Sequence, residues 1–251
     1  DFIPANPLAG LKPSSTTVKG KRDPLRQVAR ARVLDPDEIR AFWSTVETCG
    51  LHRLTALALK LVLVTGQRPG EVAGMHLAEV AGTTWTIPAA RRGKTDTAHT
   101  VHLTKTALEI IAAAKAEVAR LADRRTVAAS GHIFEAWPGK AVSNAALAQA
   151  VDRMARALGA KDVPPWGRWT PHDLRRTMRT GLSACRVRPD IAEMTIGHVK
   201  TGIVAVYDQH GFESERRAAL DVWEARLLSI TAGKDPDQVE VGNVVQLGAR
   251  A

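Results

Sequence analysis

One run constrains this chain more than any other: "LHRLTALALKLVLVTG", from Leu51 to Gly66. Between Leu54 and Val64 it puts apolar residues on every side of a helix, with Lys60 as its charge. A helix apolar all round belongs in the middle of a core or in a membrane. Lys60 interrupts the run, which falls short of the ~20 apolar residues needed to cross a bilayer. The reading is therefore a largely buried helix that stops at Gly66, with the other elements packed around it. A chain of 251 residues, 45% of them hydrophobic, can build such a core.

The neighbouring elements carry clear punctuation. Asp35 as N-cap, Pro36 at the first helical position and Glu38 closing a capping box open a helix that Gly50 should stop. Pro69 restarts a short helix in "RPGEVAGMHL". "TWTIP" and "AHTVHL", separated by polar "AARRGKTDT", suggest a β-hairpin. Helices follow in "TKTALEIIAAAKAEVARLADRR" and "SNAALAQAVDRMARALG". Thr170-Pro171, with Asp173 at the capping-box position, opens another, and Pro189 opens one that ends at Gly197. Short helical turns are expected around Tyr207. "ESERRAALDVWEARLLSI" then forms an amphipathic helix whose stripe is Leu220, Trp223, Leu227 and Leu228. The expected class is mainly α with a small antiparallel β-sheet (α+β). Residues 1–33 read as a linker or basic arm, 34–231 as the main domain and 232–251 as a tail. The chain opens on Asp1 rather than Met, so an upstream portion is expected.

Charge narrows the partner. Lys and Arg number 35 against 26 Asp and Glu, a formal net charge of +9, which favours a polyanion such as nucleic acid. The excess sits in the arm (Lys12, Lys19, Lys21, Arg22, Arg26, Arg30, Arg32) and between Arg168 and Lys200. Cys49 and Cys185 are too few and too far apart for a secreted disulfide scaffold. With no signal peptide in view, a cytoplasmic location is expected.

Several residues could do chemistry. Arg68 precedes Pro69 at the mouth of a helix N-terminus, and His172 and Arg175 share a face of a first helical turn. Free N–H groups and the helix dipole there favour a phosphate, and arginine's fork can hold two of its oxygens. Either motif alone reads equally well as surface arginines paired with Glu71 and Asp173. "GKT" at Lys94 is no nucleotide-binding loop, because the first glycine of that pattern falls on Pro88. His99 and His102 point to opposite faces of a strand, so no shared metal ion and no metal site are expected.

Taken in order, Arg68, Lys94, His172, Arg175, His198 and Tyr207 resemble the tyrosine recombinase (phage integrase) family. The matching stretches are "TGQRPGEV", the hairpin "WTIPAARRGKTDTAHTVHL", "HDLRRT", "GH" and the tyrosine nine residues after the histidine. "NPLAGLK" and "HDLRRT…IGH…VYD" look most like integrases of satellite phages and genomic islands. The resemblance implies the tyrosine recombinase catalytic-domain fold. It also implies that Tyr207, the one tyrosine of the chain, attacks the scissile phosphate to give a 3′-phosphotyrosyl link. Arg68 and Arg175 would clamp the phosphate, and Lys94 would protonate the leaving 5′-oxygen, with Arg91 and Arg92 as fallbacks. His172 and His198 would hydrogen-bond the phosphate, with His172 able to serve as base.

The same resemblance implies no cofactor. Its substrate would be double-stranded DNA at attachment sites, contacted by Lys19, Lys21, Arg22, Arg91, Arg92, Arg176, Arg179 and Lys200. The working unit would be a tetrameric synapse, joined by accessory DNA-bending and directionality proteins, on the bacterial nucleoid. The family's N-terminal DNA-clamping domain would precede "IPANPLAGLK". The alternatives are a catalytically silent DNA-binding relative and a topoisomerase- or resolvase-type enzyme with the same chemistry.

Overall fold

The structure, a computed structural model, describes residues 32–93, 97–159, 169–198 and 211–236. The basic arm and the turns expected around Tyr207 lie outside the described residues. The central run forms α2 (Arg53–Thr65), in which every residue from Leu54 to Thr65 except Lys60 is buried. Gly66 ends it in the left-handed conformation at φ 66°. Lys60 resolves its conflict by reaching outward: its ammonium pairs with Glu47 and lies 4.6 Å from the ring centroid of Trp43.

Around α2 pack α4 (Lys105–Arg125), α5 (Asn144–Gly159), α6 (Pro171–Ala184) and α8 (Glu213–Thr231). Helix α1 (Pro36–Thr45) carries the capping box of Asp35 and Glu38 and packs on α8. It ends at Thr45, with turns covering the residues up to Gly50, earlier than the glycine suggests. α3 (Pro69–Ala73) and α7 (Pro189–Thr195) are the short helices opened by prolines. At the α1 end of the core, the rings of Phe42 and Trp169 meet edge to face, their centroids 5.7 Å apart.

The hairpin consists of β2 (Thr84–Ile87) and β3 (His99–His102), paired antiparallel with Thr84 opposite His102 and Ile87 opposite His99. β1 (Val80–Ala81) extends it to three strands, and β4 (Glu135–Trp137) with β5 (Lys140–Ala141) forms a second small hairpin. Trp85, Ile87, His99 and Val101 share the buried face, while His102 points to the other. Among the described residues, no group of three His, Cys, Asp or Glu is arranged to hold a metal, and no helix is long and apolar enough to cross a membrane.

Helix α8 corrects one expectation. Leu220, Trp223 and Leu227 are buried as expected, but Leu228 is 46% exposed, and Ala219 and Ile230 complete the inward face. Leu228 follows Leu227 by a single residue, which turns it about 100° away from the seam. The seam itself is unusually close: a Cβ on Gly181 of α6 would lie 2.1 Å from Cζ3 of Trp223. The Trp223 indole N–H in turn donates to the carbonyl of Leu63 at 3.0 Å. Alanine is the better helix former by roughly 1 kcal/mol, yet here its methyl would collide with the indole. Gly181→Ala is therefore expected to destabilise the fold by about 1–3 kcal/mol, read as a lowered denaturation midpoint. An unchanged or raised midpoint contradicts this seam.

Candidate active site

The site is built where α2 ends and α3, α6 and α7 come together. After Gly66, the fully buried Gln67 donates from Nε2 to the carbonyls of Thr65 (2.9 Å) and Thr195 (3.0 Å), tying the loop to α7. Arg68 is the N-cap of α3. Its backbone N–H donates to Glu71 Oε2 at 3.0 Å, and its Nη1 lies 2.6 Å from Glu71 Oε1. The salt bridge weighed for Arg68 thus forms, while its side chain stays 35% exposed and lines the cleft described below.

Arg175 behaves differently. Asp173 is spent on capping, accepting from the Thr170 N–H at 2.8 Å and hydroxyl at 2.9 Å, and it pairs with Arg176. Arg175, 2% exposed, donates instead from Nη1 to the carbonyls of Gly66 (2.9 Å) and Ile196 (2.7 Å). Burial and the nearby Arg68 push its pKa down to about 10, which leaves it cationic at neutral pH. Its Nη2 lies 3.0 Å from His198 Nε2. Because a guanidinium can only donate, His198 Nε2 accepts, and its Nδ1–H is directed to Glu193, with which it pairs. Glu193 is held from its other side by Arg179 Nε at 2.8 Å. Burial raises the Glu193 pKa, but the hydrogen bonds from Arg179 and His198 prevail and hold it below the usual range.

His172 stands in the first turn of α6. Burial of its ring, then the charges of Arg175 and Arg176, lower its pKa and favour the neutral imidazole. A cleft of ≈ 460 Å³ opens beside it, lined by Arg68, Arg91, Arg92, Asn144, Thr170 and His172 among others. Arg68, His172, Arg175 and His198 therefore gather at one place. Lys94 and Tyr207 lie outside the described residues, as do Lys19, Lys21, Arg22 and Lys200. Of the other basic residues expected to touch DNA, Arg176 and Arg179 hold Asp173 and Glu193. Arg91 pairs with Glu79 and donates to the carbonyl of Glu71, and Arg92 is 6% exposed.

Glu71, foreseen only as a surface partner of Arg68, is an integral part of the site, and Gln67, Glu193 and His99 join it. Glu71 could have been found as the N3 acid of α3; the others have no local signal. His99 is buried beside Arg216, Arg92 and Arg175. Burial first, then those charges, push its pKa down to about 3, although its ring hydrogen-bonds the Thr195 backbone. The folded state therefore favours the neutral ring. That contribution to stability is complete above the unfolded pKa of about 6.5 and is lost as pH falls towards 3. Between pH ~6.5 and ~4.5, His99→Asn is expected to flatten the fall in unfolding free energy by up to about 1.4 kcal/mol per pH unit. A slope equal to that of the unaltered protein in denaturant titrations rules this out.

Comparison with known proteins follows the same lines. Residues 32–214 match the sequence pattern of the phage integrase family. The prophage integrase IntZ of Escherichia coli (strain K12) is 27% identical over 240 residues, covering 93% of this chain and 52% of IntZ. The chain thus spans about half the length of that curated relative. Among solved structures, a lambda integrase dimer bound to a COC′ core site superposes with a TM-score of 0.53 at 20% identity, over 71% of this chain and 61% of that one. The Tn1549 transposon integrase in complex with transposon right end DNA gives 0.54 at 16%, over 75% and 65%. The integrase from mycobacterium phage Brujita gives 0.53 at 16%, over 78% and 59%. At these identities the likeness is one of fold, that of tyrosine recombinase catalytic domains.

Proposed function

We propose, since the chain belongs to the phage integrase family, that it is the catalytic domain of a site-specific tyrosine recombinase acting on double-stranded DNA. The observation that carries this reading is that Arg68 and His172 line one cleft while the buried Arg175, close enough to feel the charge of Arg68, donates to His198. A buried cation flanked by Arg68 and Arg92 creates a site that gains from an entering phosphate.

In the proposed reaction the Tyr207 hydroxyl oxygen forms a bond to the scissile phosphorus while the bond from phosphorus to the 5′-oxygen breaks. The tyrosine proton passes to His172, whose lowered pKa leaves it able to accept one. Lys94 gives a proton to the departing 5′-oxygen. Arg68 and Arg175 hold the non-bridging oxygens as negative charge grows on them, and His198, once its Nε2 is protonated and turned from Arg175 to the phosphate, adds a further hydrogen bond. The phosphodiester energy is kept in the phosphotyrosyl link, so the free 5′-hydroxyl of a partner strand can reverse the step.

By the same reading, residues 1–33 join this domain to an N-terminal DNA-clamping domain, and 34–231 perform the chemistry. The segment 232–251 is a C-terminal tail that would dock on a neighbouring protomer. The whole protein would then integrate or excise a mobile element of the satellite-phage or genomic-island kind. It would do so as a tetramer on its attachment sites, with accessory DNA-bending and directionality proteins, at the bacterial nucleoid.

The test is a nicked suicide duplex of the attachment site, incubated with the full-length protein. A denaturation-resistant protein–DNA adduct is expected, and it should vanish in Tyr207→Phe. Arg68→Ala and Arg175→Ala should bind the duplex yet form the adduct about 10²–10³-fold more slowly. Absence of any adduct on a verified site overturns the assignment, and normal cleavage by either arginine variant removes it from the clamp.

A further inference from the structure

We propose that Arg92 is a positioning residue: its guanidinium locks the base of the hairpin that carries Lys94 to the Gly197–His198 turn. Lysine and histidine are then presented to the phosphate as one unit. The inference rests on the reading of Lys94 as the general acid.

Arg92 is 6% exposed and reaches in three directions. Its Nη1 donates to the carbonyl of Thr97 at 2.7 Å, closing the hairpin loop across its neck. Its Nη2 donates to the carbonyl of Gly197, the residue before His198. Its Nε lies 3.9 Å from Glu71 Oε1, the atom that holds Arg68 Nη1 at 2.6 Å. One side chain therefore joins the loop that contains Lys94, the turn that carries His198 and the carboxylate that orients Arg68.

The packing at this joint is close enough to transmit position. Gly197 sits at φ 81°, and a Cβ there would lie 3.1 Å from Arg92 Nη2 and 2.9 Å from His99 Cδ2. A side chain at 197 would push the guanidinium off its carbonyl. The base of β3 is anchored on both flanks as well: His99 hydrogen-bonds the Thr195 backbone, and Arg216 of α8 donates to the carbonyl of Thr100.

Stability alone is a poor explanation for Arg92. A guanidinium buried near Arg68 pays for desolvation and repulsion, which Glu71 offsets in part. Its planar fork spans the carbonyls of Thr97, five residues on, and Gly197, 105 residues on, a geometry that the single ammonium of lysine cannot reproduce. What the arrangement secures is placement.

A substrate whose leaving group needs no proton isolates this role. In a 5′-bridging phosphorothiolate duplex, sulfur replaces the 5′-oxygen, and the thiolate departs unprotonated as the tyrosine oxygen bonds to phosphorus. On an ordinary suicide duplex, Arg92→Met in the full-length protein is expected to cleave about 100-fold more slowly at a temperature where circular dichroism shows it folded, its melting temperature lowered by the loss of the Thr97 and Gly197 contacts. On the phosphorothiolate it should recover most of that loss, as Lys94→Ala does, whereas Arg175→Ala should not. The Arg92→Met, Lys94→Ala double variant should be no slower than Lys94→Ala alone. If Arg92→Met fails to fold, Arg92→Lys, which keeps the charge but loses the fork, takes its place in every comparison. Cleavage at the parental rate, equal impairment on both substrates, or additive losses in the double variant overturns the proposal. Failure of the parent protein to form an adduct on either substrate would instead defeat the assignment of recombinase activity.

Discussion

A buried cation at the meeting of two helix ends organises this molecule. The two carbonyls that accept from Arg175 belong to Gly66 and Ile196, the C-caps of α2 and α7. Helix C-termini carry partial negative charge and orphan carbonyls, so each end supplies what a guanidinium removed from water lacks. The consequence runs both ways. α2 must stop at Gly66 and α7 at Ile196 for the carbonyls to converge, and the apolar length of α2 keeps its end from drifting. The core and the site are thus parts of one construction, with Gln67 as a second tie between the same helices.

The charges here are arranged to be incomplete. Arg68 and Arg92 both depress the pKa of Arg175, and the carboxylates that oppose them electrostatically are Glu71 and Glu193. Glu71 is shared between two arginines, and Glu193 between Arg179 and His198. His99, enclosed by cations, stays neutral instead of adding to them. Such a cluster carries positive potential without mobile counter-charge, the condition under which a phosphate is bound tightly and negative charge developing on it is stabilised.

How much of this was legible in the sequence depended on distance along the chain. The capping boxes at Asp35 and Thr170, the prolines opening α3, α6 and α7, and the apolar length of α2 are local codes, and the structure follows them. The hairpin of β4 and β5 is not legible although Pro138-Gly139 marks its turn, because strands this short leave no alternating pattern to read. Leu228 reads as part of the core stripe because a helical stripe in sequence is wider than the seam it fills. At the site, the choice between Glu71 for Arg68 and Asp173 for Arg175 could not be made from spacing, since both acids sit suitably close. Arg175 turned to a carbonyl 109 residues away. The role of Glu193, five residues before His198, depended on how the chain turns at Gly197.

The seam between α6 and α8 also sets a measure. With the Trp223 ring seated in the notch of Gly181 and its N–H committed to α2, α8 is keyed like a shaft in a slot. Sliding by one residue would rotate it about 100° and unseat the ring, so its starting point at Glu213 is fixed relative to the helix that bears His172 and Arg175. The chain entering α8 is therefore fed from a stationary post. The fold thereby behaves as a ruler with two fixed marks, and the segment between them carries the single tyrosine.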